Sequence, residues 1–301
     1  MDLRDLKYFE TIAELEHLGR AAARLHRSPP ALTKCVRRLE AELETPLFER
    51  AGRGIRLTAA GRALQKRSRQ LDVAMDDTLR EIGAVSQGAS GHIRVGVAPT
   101  MAQFLLPGAL RLLLADGEDI TMQTIIGMSN FLRDALASGQ IDMAISVAKT
   151  ADEFVSHPIV EDDVVVVAGS THPIFRKRPR VQDLAAYRWV LPVASYDTEI
   201  RRWLDRAFDR HGLPPPIVQV ETNSVTFLPN MIAQTGLLSF ISRRNLGRGL
   251  VAAPLREVRL HEMTMRRQFA LLHRKDSYLA PAALRFMDLL RTKGQSLYAR
   301  T

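Results

Sequence analysis

Between Gly19 and Leu43 the chain reads as a short helix, a tight break and a second helix, a pattern that few folds accept. Ala21, Ala22 and Leu25 give the first helix its apolar side, and His26-Arg27-Ser28 is the break. Ser28 is a good N-cap, and Pro29 suits a first helical position, where its missing N–H costs nothing. The spacing predicts a helix from about Pro29 to Leu43, with Leu32, Val36, Leu39 and Leu43 as one buried stripe. Pro30, Thr33, Lys34 and Arg37 lie opposite. Two cations and a hydroxyl on one exposed face suit phosphates and base edges in a major groove. A preceding helix is marked by Leu6, Phe9, Ile12, Ala13 and Leu15 at helical spacing.

The segment after this pair of helices strengthens the nucleic-acid reading. Leu47 and Phe48 are anchors, Gly52 and Gly54 permit a tight turn, and Arg50, Arg53 and Arg56 ride on a two-stranded hairpin. Arginines on such a tip suit a minor groove. From Arg20 to Arg69, thirteen basic and four acidic residues leave an excess of nine, equal to the net +9 of the whole chain. The basic block is therefore local, which points to a polyanion partner.

Residues 59–88 form one long helical pattern. Thr58 is a plausible N-cap, Leu64, Leu71, Thr78 and Val85 recur every seven residues, and Ser68, Met75 and Ile82 interleave. That is an imperfect coiled-coil seam, and an isolated helix with one apolar stripe needs a partner. From His92 onward, β-rich runs alternate with helices. Strands are expected at 92–98, 120–125, 139–145, 164–168, 217–221, 237–242 and 267–273, and helices from Pro99, at 130–138, 198–211, 225–234 and 281–291. The alternation argues for a mostly parallel sheet with helices on its faces.

Several motifs together resemble the LysR-type transcriptional regulators. They are Arg20-Ala21-Ala22-Ala23-Arg24-Leu25 through Thr33-Lys34, then Arg38-Leu39-Glu40, Pro46-Leu47-Phe48-Glu49-Arg50 and Leu57-Thr58-Ala59-Ala60-Gly61. The resemblance covers about residues 3–62 closely and the rest by its αβ pattern. It implies an α/β protein with an N-terminal winged helix-turn-helix (1–58), a linker and dimerisation helix (59–88) and an effector-binding domain (92–301) of two αβ lobes like type 2 periplasmic binding proteins. Lobe one would be 92–161 with 268–301 and lobe two 162–267, the chain crossing near Val160–Val164 and returning near Met265–Phe269.

The resemblance also assigns sites. Arg20, Pro30, Thr33, Lys34, Arg37, Arg38, Arg50 and Arg53 are expected on double-stranded DNA. Thr100, Met128, Ser129, Val147, Pro192, Asn223 and Ser224 are expected to line an effector cleft at strand C-terminal ends, where such sheets bind ligands. Thr100 is read as capping a helix whose N–H groups hold a carboxylate, so a small organic acid is expected. Some family members carry an Arg near the position of Val147. Here Val147 stands there with Lys149 two residues on, which argues against a dicarboxylate. Pro29 stands where the family usually has Gln, so that DNA contact is lost or replaced by backbone. Homodimers, a dimer of dimers and RNA polymerase are the partners the resemblance implies.

Other classes fit less well. The eight histidines show no His-x-His or His-Glu-x-x-His spacing, and no P-loop, Gly-x-Ser-x-Gly or Gly-x-Gly-x-x-Gly is present, so neither an enzyme nor a cofactor is expected. A transporter's solute-binding protein would not carry the basic helix-turn-helix. Cys35 is the single cysteine, which suits a reducing cytoplasm, and its place beside the apolar stripe makes it a packing residue. No apolar run approaches the roughly 18 residues of a membrane span.

Overall fold

The computed structural model describes residues 1–52, 54–87, 91–115, 120–148, 154–193, 198–222, 224, 227–246, 254–275 and 277–300. They fall into two compact units, Met1–Arg80 and Glu81–Thr301. The first unit begins with α1 (Leu3–Leu15), α2 (Leu18–Arg24) and α3 (Pro29–Glu42). A hairpin of β1 (Phe48–Ala51) and β2 (Gly54–Leu57) follows, then α4 (Ala59–Gln87). Phe9, Ala13, Cys35, Leu39 and Leu47 share one apolar cluster, and Ile12, Ala21, Ala22 and Leu32 form another.

Two details of α3 correct the sequence reading. Ser28 stands at the N-cap with extended backbone, but its side chain makes no capping bond. The buried face is Leu32, Cys35 and Leu39; Val36 is half-buried and Leu43 is exposed. The helix ends at Glu42, so Leu43 is the C-cap and no longer follows the helical stripe.

The motif residues around the hairpin have mechanical roles. Glu40 Oε1 accepts the N–H groups of Leu47 and Phe48 at 2.8 and 3.3 Å, tying the hairpin's start to α3. Thr58 does cap α4, its Oγ1 accepting the Gly61 N–H at 3.0 Å while its hydroxyl donates to Pro46 O at 2.7 Å. A Cβ on Gly61 would lie 2.1 Å from the Leu47 carbonyl oxygen, so only glycine lets the first turn of α4 pass that close. Further along α4, Leu71, Met75, Leu79 and Ile82 are all at least 43% exposed within the single chain.

The second unit starts with β3 (His92–Val97), α5 (Pro99–Phe104), α6 (Leu106–Ala115), β4 (Thr121–Ile126), α7 (Ser129–Ala137) and β5 (Met143–Val147). The long β6 (Phe154–Gly169) leads to β7 (Arg188–Pro192), α8 (Thr198–Arg210), β8 (Ile217–Thr222), α9 (Leu228–Gln234), β9 (Ser239–Ser242) and β10 (Leu255–Glu257). The chain returns through β11 (Met265–Arg274) and ends in α10 (Pro281–Arg300).

The large sheet is mixed, which corrects the expectation of a mostly parallel one. Its order is β10-β6-β11-β5-β3-β4, with β9 also on β6. Only β3 pairs in parallel with β4 and β5; every pair made by β6 or β11 is antiparallel. Strands β7 and β8 form a separate parallel pair. Two bodies hang on the crossing strands. One core holds β3 to β5, α5 to α7 and α10 and includes Val160 and Phe269. The other includes Val164 and Met265, with Trp189, Leu204, Phe208 and Phe240. Between them, β6 and β11 run in register from Met265↔Val164 to Phe269↔Val160.

Candidate functional site

The first unit presents its cations on α3 and the hairpin. Pro29, Pro30, Thr33, Lys34 and Arg37 line one shallow concavity. Lys34 and Arg37 are exposed and make no ion pair among the described residues. Thr33 spends its proton on Pro29 O at 3.0 Å, so its hydroxyl meets an incoming group as an acceptor. Arg20 and Arg50 are exposed as well. Arg53 lies outside the described residues. Arg56, by contrast, is paired with Glu49 across the hairpin at 2.8 Å, so it is not the free cation the sequence suggested.

Arg38 has a structural task. Its Nη2 and its Nε grip the two oxygens of Asp5, the latter at 3.1 Å, fixing α3 against α1. Burial alone would raise the Asp5 carboxyl, but hydrogen bonds from Arg38 and Cys35 and the Arg38 charge hold it below its ordinary value. Cys35 Sγ lies 3.4 Å from Asp5 Oδ1. Burial, with the neighbouring Asp5 carboxylate, pushes its thiol up to about 12. A buried thiol that stays protonated is inert, in keeping with packing rather than redox sensing.

The second unit brings Thr100, Met128, Ser129, Val147 and Pro192 to one small cavity between its two bodies. The positions follow from the topology: Thr100 and Ser129 open helices after β3 and β4, Val147 ends β5, and Pro192 ends β7. Phe240, Ser242, Asn245, Arg267 and Phe269 complete much of its wall. Its volume is about 60 Å³. Small-molecule pockets usually measure about 300–1,000 Å³, so a ligand of more than a few heavy atoms needs the two bodies to hinge apart.

Two expectations at this cavity change, those for Thr100 and Ser224. Thr100 is not the cap of α5; Ala98 is, and Thr100 is the buried second residue of the helix, with Arg267 Nη2 reaching its Oγ1 at 3.4 Å. Ser129 likewise follows the N-cap Met128, and its hydroxyl accepts from Ser146 at 3.0 Å. Ser224 is exposed and does not line the cavity; its Oγ accepts the Phe227 N–H at 3.3 Å in a local turn. Asn223 and Lys149 lie outside the described residues. The sequence reading missed Arg267, the one cation among the described residues that line this cavity. The acidic run Glu161-Asp162-Asp163 opposite Arg266-Arg267 in the two crossing segments was the signal that could have found it.

A basic winged helix-turn-helix joined in one chain to a two-body αβ domain with an internal cavity defines a DNA-binding regulator that carries a substrate-binding type of domain. The comparisons agree. Residues 3–62 match the bacterial regulatory helix-turn-helix protein of the lysR family, and residues 86–295 match the LysR substrate binding domain. The chain belongs to the LysR family of transcriptional regulators, which are not enzymes. It is 29% identical over 296 residues to the HTH-type transcriptional regulator CbbR of Xanthobacter flavus, covering 98% of this chain and 88% of that protein. It is 26% identical to the probable RuBisCO transcriptional regulator of Guillardia theta, covering 93% and 92%. Among solved structures, the fold is similar to full-length CbnR complexed with its target DNA, with a TM-score of 0.68 at 23% identity over 97% of this chain and 99% of that one. A full-length OxyR variant from Pseudomonas aeruginosa gives 0.62 at 21%, over 99% and 96%.

Proposed function

We propose that this regulator binds double-stranded operator DNA through Arg20, Pro30, Thr33, Lys34, Arg37 and Arg50, with Arg38 positioning α3, and that a small organic acid in the inter-lobe cavity controls its activity. The observation that carries the second part is the convergence of five residues, drawn from four separate strand ends, on one cavity lined by apolar side chains, the hydroxyls of Thr100, Ser129 and Ser242, Asn245 and, among the described residues, one arginine. Lobe one then comprises 92–161 with 268–301, and lobe two 162–267, on either side of the crossing strands. The exposed apolar side chains of α4, Leu71 to Ile82, support a seam that pairs two chains, and with them two recognition helices on one duplex. A DNA target supports a cytoplasmic location in this reading. Among the described residues, no helix is long and apolar enough to cross a membrane. RNA polymerase and assembly into a dimer of dimers are further partners of this reading, supported by family membership alone.

The relatives named as RuBisCO regulators and the DNA complex of CbnR support regulation of transcription as the output. The test uses the promoter the protein occupies, found by genome-wide footprinting. A Val147→Trp variant should fill the cavity, keep operator occupancy and lose the transcriptional response. An unchanged response would refute the assignment of the cavity.

A further inference from the structure

The expected contacts of the cleft contained hydroxyls and apolar groups but no charge to match an acid. The fold supplies one that local sequence reading did not place there. Arg267 lies in β11 directly opposite Asp162 of β6. Its Nε donates to Asp162 Oδ2 at 2.8 Å, and Nη2 lies 2.7 Å from the same oxygen. Asp162 Oδ1 is occupied too, accepting the hydroxyls of Ser242 and Tyr298 at 2.7 Å each. The carboxylate is therefore satisfied on both oxygens, while only one edge of the guanidinium is spent.

The other edge, formed by Nη1 and Nη2, is open. Apart from Asp162, Nη2 reaches the Thr100 hydroxyl at a long 3.4 Å, and Nη1 makes no hydrogen bond among the described residues. Arg267 and Thr100 both line the small cavity. The Phe269 ring lies 4.7 Å from the guanidinium carbon and covers one of its faces, leaving the edge as the way to approach. The Arg267 side chain is 10% exposed, so a hydrogen bond made there is shielded from water.

We infer that Arg267 is the carboxylate anchor of the cleft: a ligand carboxylate takes the Nη1/Nη2 fork and accepts the Thr100 hydroxyl. This rests on the cleft being the effector site. Parallel fork bonds to a carboxylate are the strongest neutralising geometry an arginine offers. Asp162 already balances the Arg267 charge, and no second cation lines the cavity among the described residues. A second carboxylate would be buried without a partner, which is costly. Met128, Val147, Pro192 and Phe240 provide the remaining contact. The ligand class is thus a monocarboxylate with an uncharged, apolar body.

The test is calorimetric titration of the full-length protein with benzoate and butyrate, with benzamide and butyramide as uncharged matches and succinate as the dicarboxylate. At least one monocarboxylate should bind at millimolar concentrations, with its amide about tenfold weaker or more, the loss expected for a charge-assisted bond. Arg267→Met alone strands a buried carboxylate and risks misfolding, so the informative variant is Asp162→Asn with Arg267→Met, checked by circular dichroism. It should bind acid and amide alike. Equal binding of acid and amide to the wild type, a retained preference in the double variant, tighter binding of succinate, or no binding of either acid would each overturn the anchor. Val147→Trp separates the two readings. If it abolishes amide binding while acid and amide bind equally to the wild type, the cleft stands and the anchor falls. If acid binding survives it, the ligand sits elsewhere and both fall.

Discussion

Asp162 is the residue whose loss should cost the sensing unit most, and the structure gives the size. Its side chain is 2% exposed, and it collects Arg267 from β11, Ser242 from β9 and Tyr298 from α10. Hydrogen bonds to a charged group contribute about 1.5–3 kcal/mol each, so Tyr298→Phe should destabilise by about that much. Asp162→Ala strands the Arg267 guanidinium in a largely dry site, and breaking a buried pair in this way costs about 3–5 kcal/mol. For a unit of this size, roughly 2–4 °C of melting temperature correspond to 1 kcal/mol, giving about 3–12 °C for the tyrosine and about 6–20 °C for the aspartate. The double variant Tyr298→Phe with Ser242→Ala should exceed the sum of its singles, because Oδ1 then loses its last donor. Thermal unfolding followed by tryptophan fluorescence reads this unit alone, since both tryptophans of the chain, Trp189 and Trp203, lie in it. A shift below about 2 °C for Asp162→Ala would refute the reasoning, since it would equal the loss of a mere surface pair.

Arg37→Ala should weaken operator binding and lower the salt dependence of log K by about one unit, as expected for one phosphate contact; equal affinities at every salt concentration would remove it from the interface. Leu71 is 49% exposed in the single chain, and Leu71→Glu should convert dimer to monomer by light scattering; an unchanged mass would mean that the seam lies elsewhere. His172 is held neutral: its Nδ1 accepts the Ile174 N–H at 3.1 Å and its Nε2 lies 3.1 Å from Gly236 O. Burial, only partly opposed by the Gly236 bond, lowers its pKa below 6.5, so the unfolded chain takes up the proton first and stability falls as the pH drops below about 6.5. His172→Gln should flatten that part of the stability curve, measured by urea unfolding between about pH 7.5 and 5; an unchanged slope would assign it to other groups.

The first sixty residues were readable because their signals are local. Helical spacing, Pro29 at a helix start and glycines at the hairpin each act within a few residues; α1 carries the apolar positions marked for it, and α2 and α3 begin and end within a residue of where they were expected. The misses follow from the same logic. Helix α6 opens Leu106-Pro107-Gly108, which looks like loop punctuation, yet a proline in the first turn lacks only an N–H that would have no partner there. Helix α10 runs on past Arg291 to Arg300 through Gly294, a residue with poor helix propensity; its Cα faces the Ile159 carbonyl so closely that a Cβ would lie 3.3 Å away, so packing explains the glycine. The mixed sheet was out of reach because strand direction is set by which strands pair, and alternation of helix and strand does not encode that.

The cleft divides along the same line. Thr100, Ser129, Val147 and Pro192 sit at ends of strands or starts of helices, where the chain itself announces a turn toward the ligand face. Arg267 sits inside a strand, one of two successive arginines, with no turn or helix start beside it to announce a site. Period-two alternation sends Arg266 to the surface and Arg267 to the interior, but the phase is fixed only by the buried Phe269 two residues on. A buried arginine in turn requires a buried acid, and Asp162 lies 105 residues earlier. The pairing becomes visible only when the two crossing strands are set antiparallel with Phe269 opposite Val160, because that register alone puts Asp162 across from Arg267 and Asp163 across from Arg266. Sequence thus marks the rim of the cavity, where local geometry turns, and the register of two distant strands determines the charge at its floor.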